Sequence, residues 1–353
     1  MALFAVQGAS DPAAAIPAGL VGSVAKLPLP AHSKGLAARV IRNTLRLVRR
    51  VPPLLDRFSG SERPLETALA GKTYDLAILE HFWTAPYLPV IRPRARQVWL
   101  DLHNIESEWH RRLGDAGSPI LRAGHRRFEQ AYRDQEDRWI PQFDGALVPS
   151  TREAAMIHPR RVVVYPNAVP RQAVPPVEKD CSIAFSGNLE YAPNQQAVAF
   201  FARHVWPLLR SRHSDLVWRI VGKNTQAITH LLPDDRRIEC TGQVEDAVKV
   251  LARSQIAIVP VLAGSGTRVK ILEAWAAELP VVATALGAEG LDAEPGKHLI
   301  LADTPADFSA SITRLLASPD IARRLALAGR SLYENSYTWD AAWRQLDREF
   351  QHP

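Results

Sequence analysis

The sequence predicts an α/β protein of two domains, each built on a parallel β-sheet with helices on both faces. Three observations favour this fold class. The 353 residues are enough for about two domains of ordinary size. Short runs rich in Val, Ile and Leu alternate with helical stretches along the chain, which is typical of parallel sheets. The proline-rich stretch Asn167–Lys179 lacks periodicity and is typical of a linker, which we place at 169–180.

The hydrophobic pattern predicts twelve strands and a first domain at 1–168, a second domain at 181–337 and a final segment at 338–353. The predicted strands are 3–6, 24–27, 76–79, 98–102, 146–148 and 162–165 in the first domain, and 183–186, 217–221, 238–241, 256–261, 281–284 and 299–301 in the second. Longer helices are predicted at 35–51, 121–140 and 193–213. Thr304-Pro305 and Ser318-Pro319 each have the pattern of a helix start. Residues 338–350 predict an amphipathic helix with Trp339, Trp343, Leu346 and Phe350 on one side.

The net charge of +6 is unevenly distributed. Residues 1–168 contain 23 Lys and Arg against 16 Asp and Glu, and basic and apolar residues alternate at 34–63. This pattern predicts a basic amphipathic helix at 35–51, ended by Pro52-Pro53. Its basic side is interpreted either as a solvated outer face or as a contact for an anionic membrane or a lipid diphosphate. No aromatic pattern accompanies the charge, so nucleic acid is not an expected partner.

The cellular compartment is predicted from what the sequence lacks. No apolar run approaches the ~18 residues of a membrane span, and the start has no basic signal region. Cys181 and Cys240 are expected to be small buried thiols of a reducing compartment. We therefore expect a cytoplasmic protein, with peripheral contact at the inner membrane face as an option.

Residues 260–285, PVLAGSGTRVKILEAWAAELPVVATA, are the most informative segment. A strand leads into a loop of small residues, Gly264, Ser265, Gly266 and Thr267, and the loop opens a helix that carries Arg268, Lys270 and Glu273. Backbone N–H groups at a helix start attract phosphate. Two cations could hold a diphosphate, and a carboxylate one turn later could accept sugar hydroxyls. The pattern therefore predicts a nucleotide-diphosphate site, although Lys270 and Glu273 could instead form a surface ion pair.

Three further motifs end predicted strands. IAFSGNLEYAPN (183–194) brings Gly187 and Asn188 to a turn before a helix. VWLDLHNIESE (98–108) places His103 and Asn104 after a strand, and His81 is a weaker candidate. GAEGL (287–291), with Glu289 and Gly290, forms either a pocket wall or a plain turn. Ligands of such sheets gather at the carboxyl ends of strands. No sequence spacing typical of metal ligands is present, so we expect no metal and no cofactor.

GSGTRVKILEAWA, PVVAT and GAEGL together resemble the donor-site signature of family-four GT-B glycosyltransferases, the group 1 type of bacterial polysaccharide synthesis. The resemblance implies two Rossmann-like domains facing a central cleft, with the final helix crossing back to the first domain. It implies that a sugar moves, with retention, from a nucleotide-diphosphate donor to a glycan or lipid-linked acceptor. Arg268 and Lys270 would hold the diphosphate, Glu273 the ribose and His103 the transferred sugar.

The sequence departs from this pattern in three places. Asn188 and Asn194 occupy positions where many relatives have Arg and Lys, and Ser265 replaces an acidic residue. The strand at 3–6 resembles the second strand of such proteins, so the first domain is expected to lack its initial strand-loop-helix unit. Two alternatives therefore stay open: a nucleotide-sugar epimerase of the same fold, and a non-catalytic remnant that binds nucleotide sugar.

Overall fold

A computed structural model describes residues 1–6, 16, 19–29, 35–116, 119–263 and 269–350. The chain divides into two compact units. Unit 1 contains residues 1–148 and 152–164, and unit 2 contains residues 149–151 and 165–353. Residues 170–180, in the predicted linker, form neither helix nor strand. An α/β fold with parallel sheets is therefore confirmed.

Unit 1 contains two parallel sheets, and its six strands are those the sequence predicts. A two-stranded sheet pairs β1 (Ala2–Val6) with β2 (Ala25–Leu29). The second sheet has the order β3-β4-β5-β6, formed by Tyr74–Glu80, Ala95–Asp101, Gly145–Val148 and Val162–Val164. Glu80 pairs with Asp101 in register, so two carboxylates end adjacent strands at the same edge.

Seven helices accompany these strands among the described residues up to Ala154, with 3₁₀ turns at Phe82–Tyr87, Arg92–Arg94 and Ile140–Gln142. They are α1 Leu36–Arg49, α2 Pro53–Phe58, α3 Glu62–Leu69, α4 Leu88–Ile91, α5 Glu106–Ala116, α6 Pro119–Trp139 and α7 Thr151–Ala154. The helix α1 ends at Arg49 because Arg50 takes a left-handed conformation and two prolines follow.

Unit 2 contains one six-stranded parallel sheet in the order β12-β11-β10-β7-β8-β9. Its strands, in chain order from β7 to β12, are Ser182–Ser186, Val217–Val221, Ile238–Cys240, Ile256–Val259, Val281–Ala283 and Ile300–Leu301. The strands β7 and β10 are fully buried, as their apolar sequences predict. The order of connections reverses between β7 and β10, and the crevice at their carboxyl ends is where ligands of such sheets bind.

The helices of unit 2 pack on this sheet, with 3₁₀ turns at Thr225–Ala227 and Thr229–Leu231. They are α8 Ala192–Phe200, α9 Trp206–Arg210, α10 Ala247–Leu251, α11 Val269–Ala276, α12 Ala285–Ala288, α13 Pro305–Ala317, α14 Pro319–Ser336 and α15 Trp339–Phe350. The single helix predicted at 193–213 is interrupted by a π-helical turn, Phe201–Val205. Pro207 follows this turn, and it has no N–H to continue the regular hydrogen-bond pattern.

The predicted burial of the two cysteines is wrong. Cys181 and Cys240 are exposed rather than buried. Cys181 precedes β7, and Cys240 ends β9, which is the edge strand of its sheet. In α15 the buried face consists of Ala341, Ala342 and Leu346, whereas Trp339 and Trp343 are 45% and 53% exposed.

The predicted helix starts differ in their capping. The Thr304 side chain accepts a hydrogen bond from the amide of Asp307, which is the expected N-cap. Ser318 makes no such side-chain bond, so α14 begins with proline at its first position but without a side-chain cap.

Candidate active site

Two glycines allow a close backbone approach at the end of β7. Gly187 has φ +153° and Gly222 has φ +152°. A Cβ atom on Gly222 would lie 1.9 Å from the Gly187 carbonyl oxygen, and one on Gly187 would lie 2.7 Å from Asn194 Nδ2 and 3.2 Å from Lys270 Nζ. Both positions therefore require glycine, and the missing side chain of Gly187 leaves room for the amine of Lys270.

Lys270 extends from the first turn of α11 towards the carboxyl end of β7. Its Nζ atom donates a hydrogen bond to Asn194 Oδ1 at 2.8 Å and lies 5.2 Å from the centre of the Phe185 ring. Asn194 is 4% exposed, and its Nδ2 donates to the Asn188 carbonyl oxygen at 2.8 Å. The amide that replaces a family lysine thus orients the lysine of α11, which brings a positive charge to the crevice.

Glu273 lies one turn further along α11. Ser186 Oγ donates a hydrogen bond to Glu273 Oε2 at 3.0 Å. Burial raises the pKa of the Glu273 carboxyl, while the Ser186 hydrogen bond and the charge of Lys270 act in the opposite direction. A half-buried carboxylate oriented by a neighbouring strand is suited to accept hydrogen bonds from a diol.

The loop after β7 uses most of its backbone donors within the protein. Gly187 N–H donates to the Val221 oxygen at 2.9 Å, and Leu189 N–H donates to the Lys223 oxygen at 3.1 Å. The amide of Glu190 donates to the Asn188 side chain, whose oxygen also accepts from Asn224 Nδ2 at 3.0 Å. These three amides are therefore paired within the protein, and Gly187 contributes to the crevice through the space that it leaves.

Several predicted site residues lie outside the described residues: Gly264, Ser265, Gly266, Thr267 and Arg268. Their roles stay predictions.

Glu289 and Gly290 follow α12, and Gly290 has φ +81°. Thr284 caps α12 by accepting from the amide of Gly287, where a Cβ would lie 2.6 Å from the Val259 oxygen. Tight packing of α12 on β10 explains the first glycine of GAEGL.

His103 in unit 1 forms a polar cluster with two strand-ending carboxylates. Its Nε2 atom lies 2.9 Å from Glu80 Oε2. This hydrogen bond raises the pKa of His103 and lowers the pKa of Glu80. Burial raises the pKa of Asp101 to about 6. Glu80 therefore stabilises the protonated form of the His103 imidazole, and a ring N–H of His103 could donate a hydrogen bond to a sugar hydroxyl.

His81 supports this cluster from the side. Its ring lies 4.2 Å from the ring of His103 and 4.0 Å from that of Trp83, on which it stacks. Burial and then the charge of His103 lower the pKa of His81 to about 4, so it is neutral at pH 7. His81 has φ +68°, which is uncommon for a residue with a side chain and is often found at functional sites.

Asn104 follows His103 in the chain, but its side chain hydrogen-bonds to Glu106, which is outside this cluster. Asn104 Nδ2 donates to Glu106 Oε1 at 2.9 Å. Glu106 is 3% exposed, and burial raises its pKa to about 7. The Asn104 side chain therefore contacts the first residue of α5 in the described structure.

The ligand atoms of Glu80, Asp101 and His103 all lie within 4.8 Å of one another, and such a group could hold a metal ion. No spacing of residues in the sequence indicates such a group, because Glu80 and Asp101 end different strands. The prediction that the protein uses no metal is not tested by this geometry.

Sequence reasoning missed four residues that complete these two clusters: Glu80, Ser186, Asn194 as a partner of Lys270, and Gly222. Their positions in the sequence could have indicated them. Ser186 ends a predicted strand, Glu80 and Gly222 each follow one directly, and Asn194 lies at the start of a predicted helix. The expectation that strand ends gather would have found Glu80 and Ser186.

Comparison with known protein families gives a match within unit 2. Residues 180–318 match the family model described as glycosyl transferases group 1. An uncharacterised 44.6 kDa protein in the cps region of Klebsiella pneumoniae is 22% identical over 294 residues, which cover 79% of this chain and 75% of that protein.

Solved structures share the fold. Sucrose-phosphate synthase from Thermosynechococcus elongatus superposes with a TM-score of 0.65 at 17% identity, covering 85% of this chain and 78% of that one. Anabaena HepE gives a TM-score of 0.63 at 14% identity, covering 93% and 86%. For S. aureus TarM the TM-score is 0.62 at 14% identity, and the match covers 83% of this chain but only 59% of TarM.

The fold therefore matches that of GT-B glycosyltransferase structures, and the predicted resemblance is confirmed by the group 1 glycosyl transferase model over residues 180–318. The match to the group 1 model lies in unit 2, which contains Gly187, Lys270 and Glu273.

Proposed function

We propose that this chain transfers a sugar from a nucleotide-diphosphate donor to an acceptor hydroxyl. The observation that carries the proposal is the convergence of Lys270, Asn194 and Gly187 at the carboxyl end of β7, within the region that matches group 1 glycosyltransferases. The relatives support the choice of donor. HepE was solved with UDP and with UDP-glucose, and TarM with UDP and α-GlcNAc-glycerol.

The proposed chemistry is charge stabilisation of the departing diphosphate. Lys270 Nζ would contact a phosphate oxygen in place of its present hydrogen bond to Asn194, and Arg268 is proposed to act beside it. Glu273, oriented by Ser186, would accept hydrogen bonds from the ribose hydroxyls. His103 would donate a hydrogen bond to the transferred sugar, since its partner Glu80 favours the protonated ring.

We propose that the transfer retains anomeric configuration and needs neither a metal ion nor a cofactor. The resemblance to family-four enzymes supports both statements, and a lysine next to Gly187 supplies positive charge that a cation would otherwise provide. Product NMR checks the first statement, because an axial anomeric proton couples differently from an equatorial one. Turnover that survives EDTA checks the second, and its loss with recovery on adding Mg²⁺ or Zn²⁺ would refute it.

We propose a glycan or lipid-linked acceptor in surface polysaccharide or glycolipid synthesis, at the cytoplasmic face of a membrane. The Klebsiella relative in a cps region supports this acceptor class. The basic helix α1, whose Val40, Ile41 and Val48 are exposed, supports peripheral contact. No helix of the described residues has the length and apolarity that spanning a membrane requires.

The test is binding and turnover with UDP-, GDP- and ADP-sugars. Lys270→Met should weaken nucleotide-diphosphate binding about tenfold or more, as for a lost charged hydrogen bond of about 1–3 kcal/mol. Lys249→Met, which removes an exposed lysine from α10, is the matched control and should bind as the wild type does.

The outcomes separate the candidate functions. Sugar transfer to an acceptor supports the proposal, whereas a new nucleotide sugar formed without acceptor would show an epimerase. Binding without turnover across a panel of glycan and lipid-linked acceptors would show a non-catalytic protein. Equal affinity of the Lys270→Met variant and the wild type would refute the assigned site.

A further inference from the structure

The helices α1 and α2 of unit 1 border a pocket of about 370 Å³ whose lining includes three arginines. Arg42, Arg46 and Arg49 lie along one side of α1 at helical spacing, and all three line the pocket. Asp56, on α2, is the acidic residue among the described residues that line it. Arginines therefore outnumber acidic residues among the described residues that line the pocket.

Arg46 is buried with part of its hydrogen-bonding capacity unused. The residue is 8% exposed, and its Nε donates to Asp56 Oδ2 at 2.7 Å. Its Nη2 atom is buried and has no hydrogen-bond partner among the described residues. A desolvated charged donor without an acceptor is unfavourable, so this position favours an incoming acceptor oxygen.

Like charges surround Arg46. Arg57, on α2, is near enough that burial, followed by the charges of Arg42 and Arg46, lowers its pKa. Arg57 therefore adds a fourth guanidinium group near Arg42 and Arg46, whereas Asp56 is the carboxylate that the described residues place beside Arg46. Such an excess of positive charge at short range is stabilised by an anion, and a phosphate accepts several guanidinium hydrogen bonds at once.

The rim of the pocket is aliphatic. Ile41, Leu45 and Val48 are 62%, 49% and 71% exposed, and their spacing of four and three residues places them on one side of α1. Ile41 and Leu45 also line the pocket. A soluble phosphate compound would not use this exposed apolar stripe, whereas a lipid presents a phosphate and hydrocarbon side by side.

We propose that this pocket binds the terminal phosphate group of a membrane lipid. The phosphate lies against Arg42 and Arg46, and the adjoining hydrocarbon lies along Ile41, Leu45 and Val48. The inference deepens the proposed membrane contact and rests on it, because it names the chemical group that is recognised. It does not depend on the nucleotide-sugar site of unit 2.

The experiment measures binding of the full chain to vesicles by flotation. Vesicles of phosphatidylcholine carry either phosphatidic acid, which has a terminal phosphate, or phosphatidylglycerol, whose phosphate is a diester, at matched surface charge. The wild type should bind the phosphatidic acid vesicles about tenfold more tightly. Arg46→Gln should abolish this preference. Arg63→Gln removes the same charge from the exposed surface of α3 and should keep the preference.

Folding is controlled with the double variant Arg46→Gln/Asp56→Asn, which leaves no unpaired carboxylate at the pocket. Circular dichroism of both variants should match the wild type, and the double variant should also lack the preference. Leu45→Ser should weaken binding to both kinds of vesicle. UDP binding, measured by calorimetry, should be the same in all these variants.

Each result decides the proposal. Equal binding of the wild type to the two anionic vesicles, or an unchanged preference in both Arg46 variants, overturns it. Absence of vesicle binding overturns both this pocket and the proposed membrane contact. Arg46-dependent binding of inorganic phosphate or pyrophosphate, without preference for phosphatidic acid, would assign the pocket to a soluble phosphate. A failed nucleotide site would instead show as loss of UDP binding in the wild type.

Discussion

Replacing Glu106 by glutamine should make the stability of helix α5 less dependent on pH. Glu106 begins α5, is 3% exposed, and accepts a hydrogen bond from Asn104. Glutamine has the same shape and keeps the accepting oxygen, but it carries no charge. The neighbouring Glu136, also buried, accepts from the amide and the hydroxyl of Ser107 in the same first turn.

The size of this pH dependence follows from the pKa of Glu106 in the folded protein. Burial raises the pKa of Glu106 from 4.5 to about 7, and the charge of Glu136 acts in the same direction. A carboxyl with a raised folded-state pKa binds its proton more tightly when folded. Folding is therefore favoured most below pH 4.5, and stability falls as pH rises through 7. A difference of about 2.5 in pKa corresponds to about 3 kcal/mol, at 1.36 kcal/mol for each pKa unit.

Hydrogen exchange followed by mass spectrometry measures this locally. In the wild type, the opening free energy of peptides from α5 should fall by up to about 3 kcal/mol between pH 4.5 and pH 8, after correction for the intrinsic exchange rate. The Glu106→Gln variant should lose most of this fall and be the more stable protein at pH 8.

A matched control is Glu66→Gln, which neutralises an exposed carboxylate on α3. Its pH profile should follow the wild type. Parallel profiles for the wild type and Glu106→Gln would refute the reasoning, since they would mean that Glu106 ionises in the folded protein as easily as in the unfolded one. If Glu136 also contributes, the opening free energy of α5 in the Glu106→Gln variant should keep a smaller dependence on pH. The further substitution Glu136→Gln should remove it.

Three further outcomes are expected. Glu80→Gln should lower the pKa of His103, measured by NMR titration, because the hydrogen bond that raises it is weakened; an unchanged pKa would exclude the dyad. Gly187→Ala should weaken UDP binding at least about tenfold. Gly242→Ala should not, because the φ of Gly242 is also positive (+74°) but a Cβ atom there would meet open space. Both exposed thiols, Cys181 and Cys240, should react with iodoacetamide in the native protein, and protection of either would contradict its described exposure.

The fold could be predicted largely from local patterns. Most of the twelve described strands contain a short apolar run, and burial on both faces makes such runs easy to recognise, as in β7 and β10. The π-helical interruption at Phe201–Val205 is not evident from the sequence, because the apolar pattern continues through it and Pro207 is also compatible with the first turn of a helix. Burial of the cysteines was predicted wrongly, since residue type alone does not indicate which strand lies at a sheet edge.

The candidate site could be predicted less completely. Lys270 and Glu273 were singled out by their place after a strand and loop. Their partners, Asn194 and Ser186, are 76 and 87 residues away in the chain, and only folding brings them together. Likewise, Glu80 becomes a partner of His103 because β3 and β4 pair in register, which a sequence pattern does not specify.

The anchoring of Lys270 by Asn194 and the Phe185 ring has a thermodynamic consequence. Immobilising a lysine costs about 1.5–2 kcal/mol of rotamer entropy, and here the folded protein has already met that cost. An incoming anion would exchange one hydrogen-bond acceptor for another, and would find the ammonium group in place. Selectivity at this position would then come from the difference between a neutral amide oxygen and a charged phosphate oxygen, so neutral sugars alone should compete poorly for it.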